Sequence, residues 1–357
     1  MSQSIRVYVG TYSEEIYVYR MDLETGQLVF ESQINNVKSP SFLAVHPKNQ
    51  FLYAVNEIGN YEGQETGSVS AFSIDQQSGK LTFLNRQPSH GTAPCHLSVD
   101  ATGQYVLVAN YGSGTVAAFP VDSNGYLNPA SSVVQHKGAS INVQRQTSPH
   151  AHAIMIAPNN QHVFSPDLGL DQVIIYQLNR ENGQLIANDQ PFVTVSAGQG
   201  PRHFDFHPSQ QWAYVINEIG STITVFDYQP DGGYLDSVQT ISTLPENFKG
   251  TNSCADIHVS ADGQFVYGSN RGHDSIVIYA VNQANGQLTC IGHELTRGQS
   301  PRNFGLDPTG DYLLAANHGS NDIYVFKVDS QSGLLKYTGH SAQVPTPVCL
   351  KMISIDN

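Results

Sequence analysis

Charge is scarce in this chain. Asp, Glu, Lys and Arg make up 13% of its 357 residues, and the basic share is the smaller, with 17 Lys plus Arg against 30 Asp plus Glu. A net charge of -13 and the lack of any basic run exclude non-specific binding to nucleic acid or to an anionic membrane surface, which both need a positive footprint. No apolar window approaches the length needed to cross a bilayer, and Met1 to Arg6 are not a charged segment leading into an apolar core. A cytoplasmic protein with no membrane partner is expected. Cys95, Cys254, Cys290 and Cys349 lie far apart with no Cys-x-x-Cys pair, which removes the usual zinc and redox motifs and leaves buried packing thiols as the reading. No Gly-x-Ser-x-Gly elbow is present, so an acyl-serine route is not expected. Helical periodicity is also missing.

What the chain does have is a seven-fold echo of itself. A Gly-x-Leu turn recurs at Gly26, Gly79, Gly125, Gly183, Gly233, Gly286 and Gly333, six steps of about 51 residues, which is the spacing of a propeller blade rather than of a helical solenoid. Each repeat reads as a first strand, often led by a proline (Pro40, Pro94, Pro201, Pro301, Pro347), then a tight turn such as His46-Pro47-Lys48-Asn49 or His207-Pro208-Ser209-Gln210. A second strand follows and ends in a polar residue (Asn56, Asn110, Asp167, Asn217, Asn270, Asn317), and a third strand leads to the Gly-x-Leu turn. The first repeat has no first strand of its own, and Thr346–Met352 at the other end of the chain supplies one. The expected fold is therefore all-β: one domain over residues 1–357, a seven-bladed β-propeller closed by pairing N- and C-terminal strands in one blade.

A propeller needs apolar faces between blades, but it does not need arginine or histidine at the start of an inner strand. After the leading position the seven repeats carry Ser41, Cys95, His152, Arg202, Ala255, Arg302 and Val348, and one residue later Phe42, His96, Ala153, His203, Asp256, Asn303 and Cys349. After the polar end of the second strand come Tyr12, Glu57, Tyr111, Leu168, Glu218, Arg271 and His318. Antiparallel pairing brings both columns to one mouth of the central channel, the usual place of a propeller's binding site. The expectation is a cationic cup of Arg202, Arg271 and Arg302 beside Glu218, Glu57, His152, His96 and His203. Some members keep structural alternatives. Asn217 and Asn270 either face the pocket or cap their strands, Arg302 either binds substrate or pairs with Asp256 or a neighbouring carboxylate, and Glu57 either binds substrate or only partners an arginine. His150 sits one position before the leading column and reads as a rim residue. Three arginines at one mouth favour an anion over a cation, so neither a metal nor a cofactor is expected, although Glu57, Glu218, Asn56, Asn217 and Asp167 are the groups a metal would recruit.

The segments Gly200–Pro208 (GPRHFDFHP), Tyr214–Glu218, Pro245–Phe248, Ala255–Val259, Ser269-Asn270-Arg271 and Pro301–Phe304 resemble the seven-bladed lactonase family, which includes propeller-type 6-phosphogluconolactonases and the fungal 3-carboxy-cis,cis-muconate lactonizing enzyme. The likeness runs over essentially the whole chain and is densest from Ser148 to Phe304. By motif, the resemblance implies that the family's active-site residues correspond to His152, Arg202, Glu218 and Arg271. It also implies a small anionic lactone as substrate, most concretely 6-phosphogluconolactone opened to 6-phosphogluconate. In that reading Glu218 or His152 activates water, Arg202 and Arg271 stabilise the oxyanion, and Arg302 with His96 or His203 grips a phosphate or carboxylate, with Asn217, Asn270 and Asp256 as further binding residues. The rival readings are a muconate-type cycloisomerase and a non-catalytic propeller that binds a protein or a small anion.

Overall fold

In the computed structural model, which describes residues 4–354, seven four-stranded antiparallel sheets follow one another along the chain. Blade 1 joins Pro347–Ser354 to Ser4–Thr11, Ile16–Asp22 and Leu28–Ile34. Its seam is an antiparallel ladder in which Val7 faces Met352 and Val9 faces Leu350, with a register shift between Gly10 and Thr11, so the two ends of the chain close the ring as the orphan strand required. Blades 2 to 7 begin in turn with the inner strands Leu43–Val45, Pro94–Val99, Met155–Ile156, Pro201–Phe206, Ser253–Val259 and Pro301–Leu306.

The core lies between blades, and strand periodicity puts it there. In the second strand of blade 5, Trp212, Tyr214 and Ile216 pack with Ile257, Val266 and Val277 of blade 6. The alternate residues Ala213 and Val215 pack with Phe164, Val173 and Ile175 of blade 4. Side chains of successive residues leave a strand on opposite faces, so one apolar strand serves two interfaces at once. The same alternation seals the ring, where Tyr312, Leu314 and Ala316 of blade 7 meet Val7, Val9 and Tyr19 of blade 1.

The Gly-x-Leu turn has two reasons for its glycine. All seven glycines adopt positive φ, between 64° and 84°, a region costly for residues with a Cβ. Each also sits on a side chain of the preceding blade, so a Cβ at Gly286 would run into the Trp212 ring and one at Gly333 into the Phe265 ring. Tyrosines then lock the contact: Tyr8, Tyr53, Tyr214 and Tyr267 donate their hydroxyls to the carbonyls of Gly79, Gly125, Gly286 and Gly333.

Each blade holds one strand more than the sequence reading assigned to it. Leu28, Leu81, Leu185, Leu288 and Leu335 of the turn motif open a fourth, outermost strand whose outward face is exposed, which leaves it little apolar signal. In blade 3 this strand is deferred to Ser132–Gln135. Pro129, with no N–H to give a ladder, stands between it and the turn. The cysteine expectation is also corrected at one position. Cys95, Cys254 and Cys349 are buried, but Cys290 lies on the outermost strand of blade 6 and is exposed.

Candidate active site

The odd residues at the start of the inner strands have a common structural cause. In blade 5 the ladder pairs Pro201 with Asn217 but His203 with Ile216, which leaves Arg202 as an extra residue. The same slip occurs at Cys95 between Pro94 and His96, and at Arg302 between Pro301 and Asn303. Blade 4 shifts register between the Ala151–Asp167 bridge and Met155, a stretch that holds His152. A bulge frees one side chain from the alternation of the strand and re-aims it. Here it turns two consecutive residues toward the channel, as the 3.1 Å contact between Arg202 Nη1 and His203 Nε2 records.

Glu218 is the hub of the mouth. Its Oε1 accepts from Arg145 Nη2 at 2.7 Å, and its Oε2 accepts from Arg202 Nε at 2.9 Å and lies 3.0 Å from Arg271 Nη2. His152 Nε2 stands 3.7 Å from Oε2. Burial works against the carboxylate, but Arg271, Arg202 and Arg145 outweigh it and hold Glu218 down at about 2. Burial, reinforced by Arg302 and Arg271, pulls Arg202 down to about 10. Burial and the charge of Arg202 push His152 well below the usual histidine range, so its imidazole is neutral at pH 7. Thus His152, Arg202, Glu218 and Arg271 do converge from blades 4, 5 and 6.

Other predicted residues divide by depth. Arg302 lies 5.3 Å from the Tyr12 ring centroid and forms no ion pair within 4 Å among the described residues, so the Asp256 pairing weighed for it is not made. Tyr12 also donates to Glu57 at 3.3 Å. Burial raises Glu57 above the ordinary carboxylate range although Arg302 opposes this. Below the arginines the channel narrows to a cavity of about 60 Å³ lined by Phe42, His96, His203, Asp256, His258 and Lys351. That is far smaller than the several hundred Å³ of a typical ligand pocket, too small to enclose a sugar.

Five predicted binding residues are already engaged within the protein. Asn217 turns into its blade and donates to Thr222 and Thr224, while Asn270 is taken up by Thr243, Asn252 and Ser275. Both close strand ends, because the residue after them, not they, faces the channel. Asp256 is spent on His203 Nδ1 at 2.6 Å, His258 Nε2 at 3.1 Å and the Asn303 amide. His203 is spent too. Arginine only donates, so Nε2 accepts from Arg202 and the proton sits on Nδ1 toward Asp256, a neutral tautomer that orients Arg202. Burial and Arg202 lower His203 to about 4, consistent with that state. His96 lies in the channel against Phe42, with ring centroids 4.2 Å apart, rather than beside Arg302.

Two participants escaped the sequence reading. Arg145 lies in residues 136–154, the longest connection between blades, upstream of the column positions His152 and Ala153, and matches no repeat column. Tyr111 was in the second column but was not singled out. It bonds Arg145 at 3.2 Å and stacks on His150 at 4.5 Å, and its carbonyl lies 2.9 Å from His150 Nδ1. These contacts fix His150 at the rim and leave His152 to face Glu218. The unusual length of 136–154 against six short connections was the available signal.

The arrangement offers an anion more than Glu218 can neutralise. Three guanidinium groups pair with Glu218, Arg271 Nε is buried without a partner, and among the described residues Arg302 makes no ion pair and lies over the Tyr12 ring. Among the described residues no group of three His, Cys, Asp or Glu side chains is placed to hold a metal ion.

Comparison with known proteins gives a consistent picture. Residues 6–352 match the family described as "Lactonase, 7-bladed beta-propeller". The chain is 37% identical over 350 residues to a 6-phosphogluconolactonase of Bacillus subtilis, covering 97% of each chain. It is 32% identical over 313 residues to a 6-phosphogluconolactonase of Formosa agariphila, covering 85% of this chain and 87% of that one. Among solved structures, a periplasmic gluconolactonase from Pseudomonas aeruginosa superimposes with a TM-score of 0.93 at 34% identity, covering 99% of this chain and 100% of that one.

Proposed function

The chain belongs to the seven-bladed β-propeller lactonase family, and from that premise we propose that it hydrolyses 6-phosphogluconolactone to 6-phosphogluconate at the mouth of the channel. The observation that carries the reading is the convergence of Arg145, Arg202 and Arg271 on one buried carboxylate, with Arg302 near enough to add its charge to theirs, in a chain of net charge -13. Such a cup suits a substrate that is anionic and becomes more so during reaction.

In the proposed chemistry a water oxygen attacks the lactone carbonyl carbon while its proton passes to Glu218. The unpartnered edge of Arg271 and the free guanidinium of Arg302 donate to the oxyanion. Collapse breaks the bond to the ring oxygen, which takes the proton back from Glu218, and the new carboxyl group loses its own proton to solvent. A sugar lactone is an activated ester that opens in water unaided, so a weak base suffices. His152, neutral and 3.7 Å from Glu218, adds a hydrogen-bonding group without adding charge, and Arg202 fixes the carboxylate.

We place the reaction in the cytoplasm. All four cysteines are free, including the exposed Cys290, which fits a reducing compartment. Among the described residues no helix is long and apolar enough to cross a membrane.

The test is the loss of freshly generated 6-phosphogluconolactone in the presence of purified protein, followed against its spontaneous opening. Acceleration proportional to protein concentration is expected. Turnover of a carboxylated muconolactone with none of the sugar lactone would instead select a cycloisomerase, and binding without turnover of any lactone would select a docking role.

A further inference from the structure

Three arginines hold Glu218, but they do not hold it alike. Arg202 also donates to the Ala255 carbonyl at 2.6 Å and to His203, and its side chain is 2% exposed. Arg271 donates to the Cys254 carbonyl at 2.6 Å, with its side chain 15% exposed. Both are tied to inner-strand backbone. Arg145 comes from the irregular connection 136–154, its side chain is 41% exposed, and its other polar partner is the Tyr111 hydroxyl. It is the one member of the cluster free to swing without moving a strand.

The oxygens divide in the same way. Oε2 faces Arg202, Arg271 and His152, whereas Oε1 is taken by Arg145 alone. Removing Arg145 therefore opens one oxygen to a water and leaves the carboxylate aimed by the other two arginines. Resting on the lactonase reading above, we propose that Arg145 selects phosphorylated lactones: it leaves Glu218 to pair with the substrate's phosphate, and its departure frees Oε1 to accept the proton of the attacking water. The phosphate thus binds and also switches on the base. A lactone without a second anion leaves Arg145 where it is, and the proton must go to an oxygen that is already occupied.

Losing a cation from a buried carboxylate makes it a better proton acceptor, so the direction of the effect is fixed. A charge-assisted bond to phosphate is worth about 1.5–3 kcal/mol, or about 10- to 100-fold in kcat/KM. Arg145 is partly exposed, so solvent screens its hold on the buried Glu218, and its removal is expected to speed an unphosphorylated lactone about two- to fivefold.

The experiment compares full-length wild type, Arg145→Gln and Arg145→Lys on 6-phosphogluconolactone and on glucono-δ-lactone, with thermal melts as a check on folding. In Arg145→Gln, kcat/KM for the phosphorylated substrate is expected to fall about 10- to 100-fold while kcat for the unphosphorylated one rises, and Arg145→Lys is expected to recover most of the preference. A purely structural arginine would lower both substrates together, and that result, or a preference unchanged by Arg145→Gln, overturns the inference. Wild-type protein that opens neither lactone overturns the lactonase reading itself, which is a different failure.

Discussion

Replacing Glu218 by Gln keeps the shape of the side chain and removes its charge, so it imitates a carboxyl group that has been protonated in place. The depression from 4.5 to about 2 measures how strongly the fold prefers the carboxylate to that neutral form, about 3 kcal/mol in all. The cost arises because Arg202 and Arg271, both buried, are left facing each other and Arg302 without the anion between them. At pH 7 the Glu218→Gln protein is expected to unfold about 5 °C below wild type by calorimetry. The sign of the pH dependence follows from the depressed folded value. The stabilisation is present above the unfolded value near 4.5 and is lost as pH falls toward 2, so the gap between the two proteins should close over that range. Turnover of 6-phosphogluconolactone should drop at least about a hundredfold, the usual worth of a lost general base. A variant that melts with wild type at pH 7 and turns over at a near-normal rate would refute both the electrostatic and the chemical role assigned to Glu218.

Other outcomes are expected from the same structure. Arg271→Ala should lower kcat by about 10²- to 10³-fold, since it removes an oxyanion donor, and should lower the melting temperature too, since it unpairs the buried Glu218; near-normal kcat would reject the catalytic role. His96, His152 and His203 are buried and neutral, with folded values below the unfolded value near 6.5, so each makes folding less favourable as pH drops below 6.5, by about 1.4 kcal/mol per pH unit until its own folded value is reached. Burial opposes the charge of His258, but Asp256 raises it, so His258 contributes the opposite way, stabilising below 6.5 and ceasing to do so as pH rises through its folded value. Burial also lowers His46, His162, His273 and His318, so the lowered histidines outnumber His258 and stability is expected to fall from pH 6.5 to 5 in chemical denaturation; a rise would contradict the burial assigned to these rings. Gly286→Ala should cost about 2–5 kcal/mol, from the positive φ of 68° together with overpacking against Trp212, measured by the same method; a cost under about 0.5 kcal/mol would mean that the turn relaxes freely.

The architecture was legible because its constraints repeat. A glycine that must adopt positive φ and also lie on a neighbouring side chain cannot drift, so Gly26 to Gly333 keep time through the chain, and the missing first strand pointed to the C-terminal one that closes the ring. Site residues were legible where a bulge replaced alternation, since Arg202 and Arg302 occupy a position the packing does not need. Strand-end asparagines misled because Asn217 and Asn270 share the columns but point into the blade, and sequence spacing cannot tell a cap from a ligand one residue away. Asp256 and His203 were found but assigned to substrate, whereas they hold each other and orient Arg202. Arg145 was missed because an irregular connection has no period, and the outermost strands because their exposed face carries no apolar rhythm.

The most direct measurement is a crystal structure of the protein soaked with 6-phosphogluconate. The product carboxylate is expected within hydrogen-bond distance of Arg271 and Arg302, with Glu218 beside it and the phosphate at the rim of the same mouth. Density for the ligand in an outer groove, such as the one beside Phe265 and Leu306 between blades 6 and 7, with the guanidinium cluster empty, would contradict the placement of the reaction at the channel mouth.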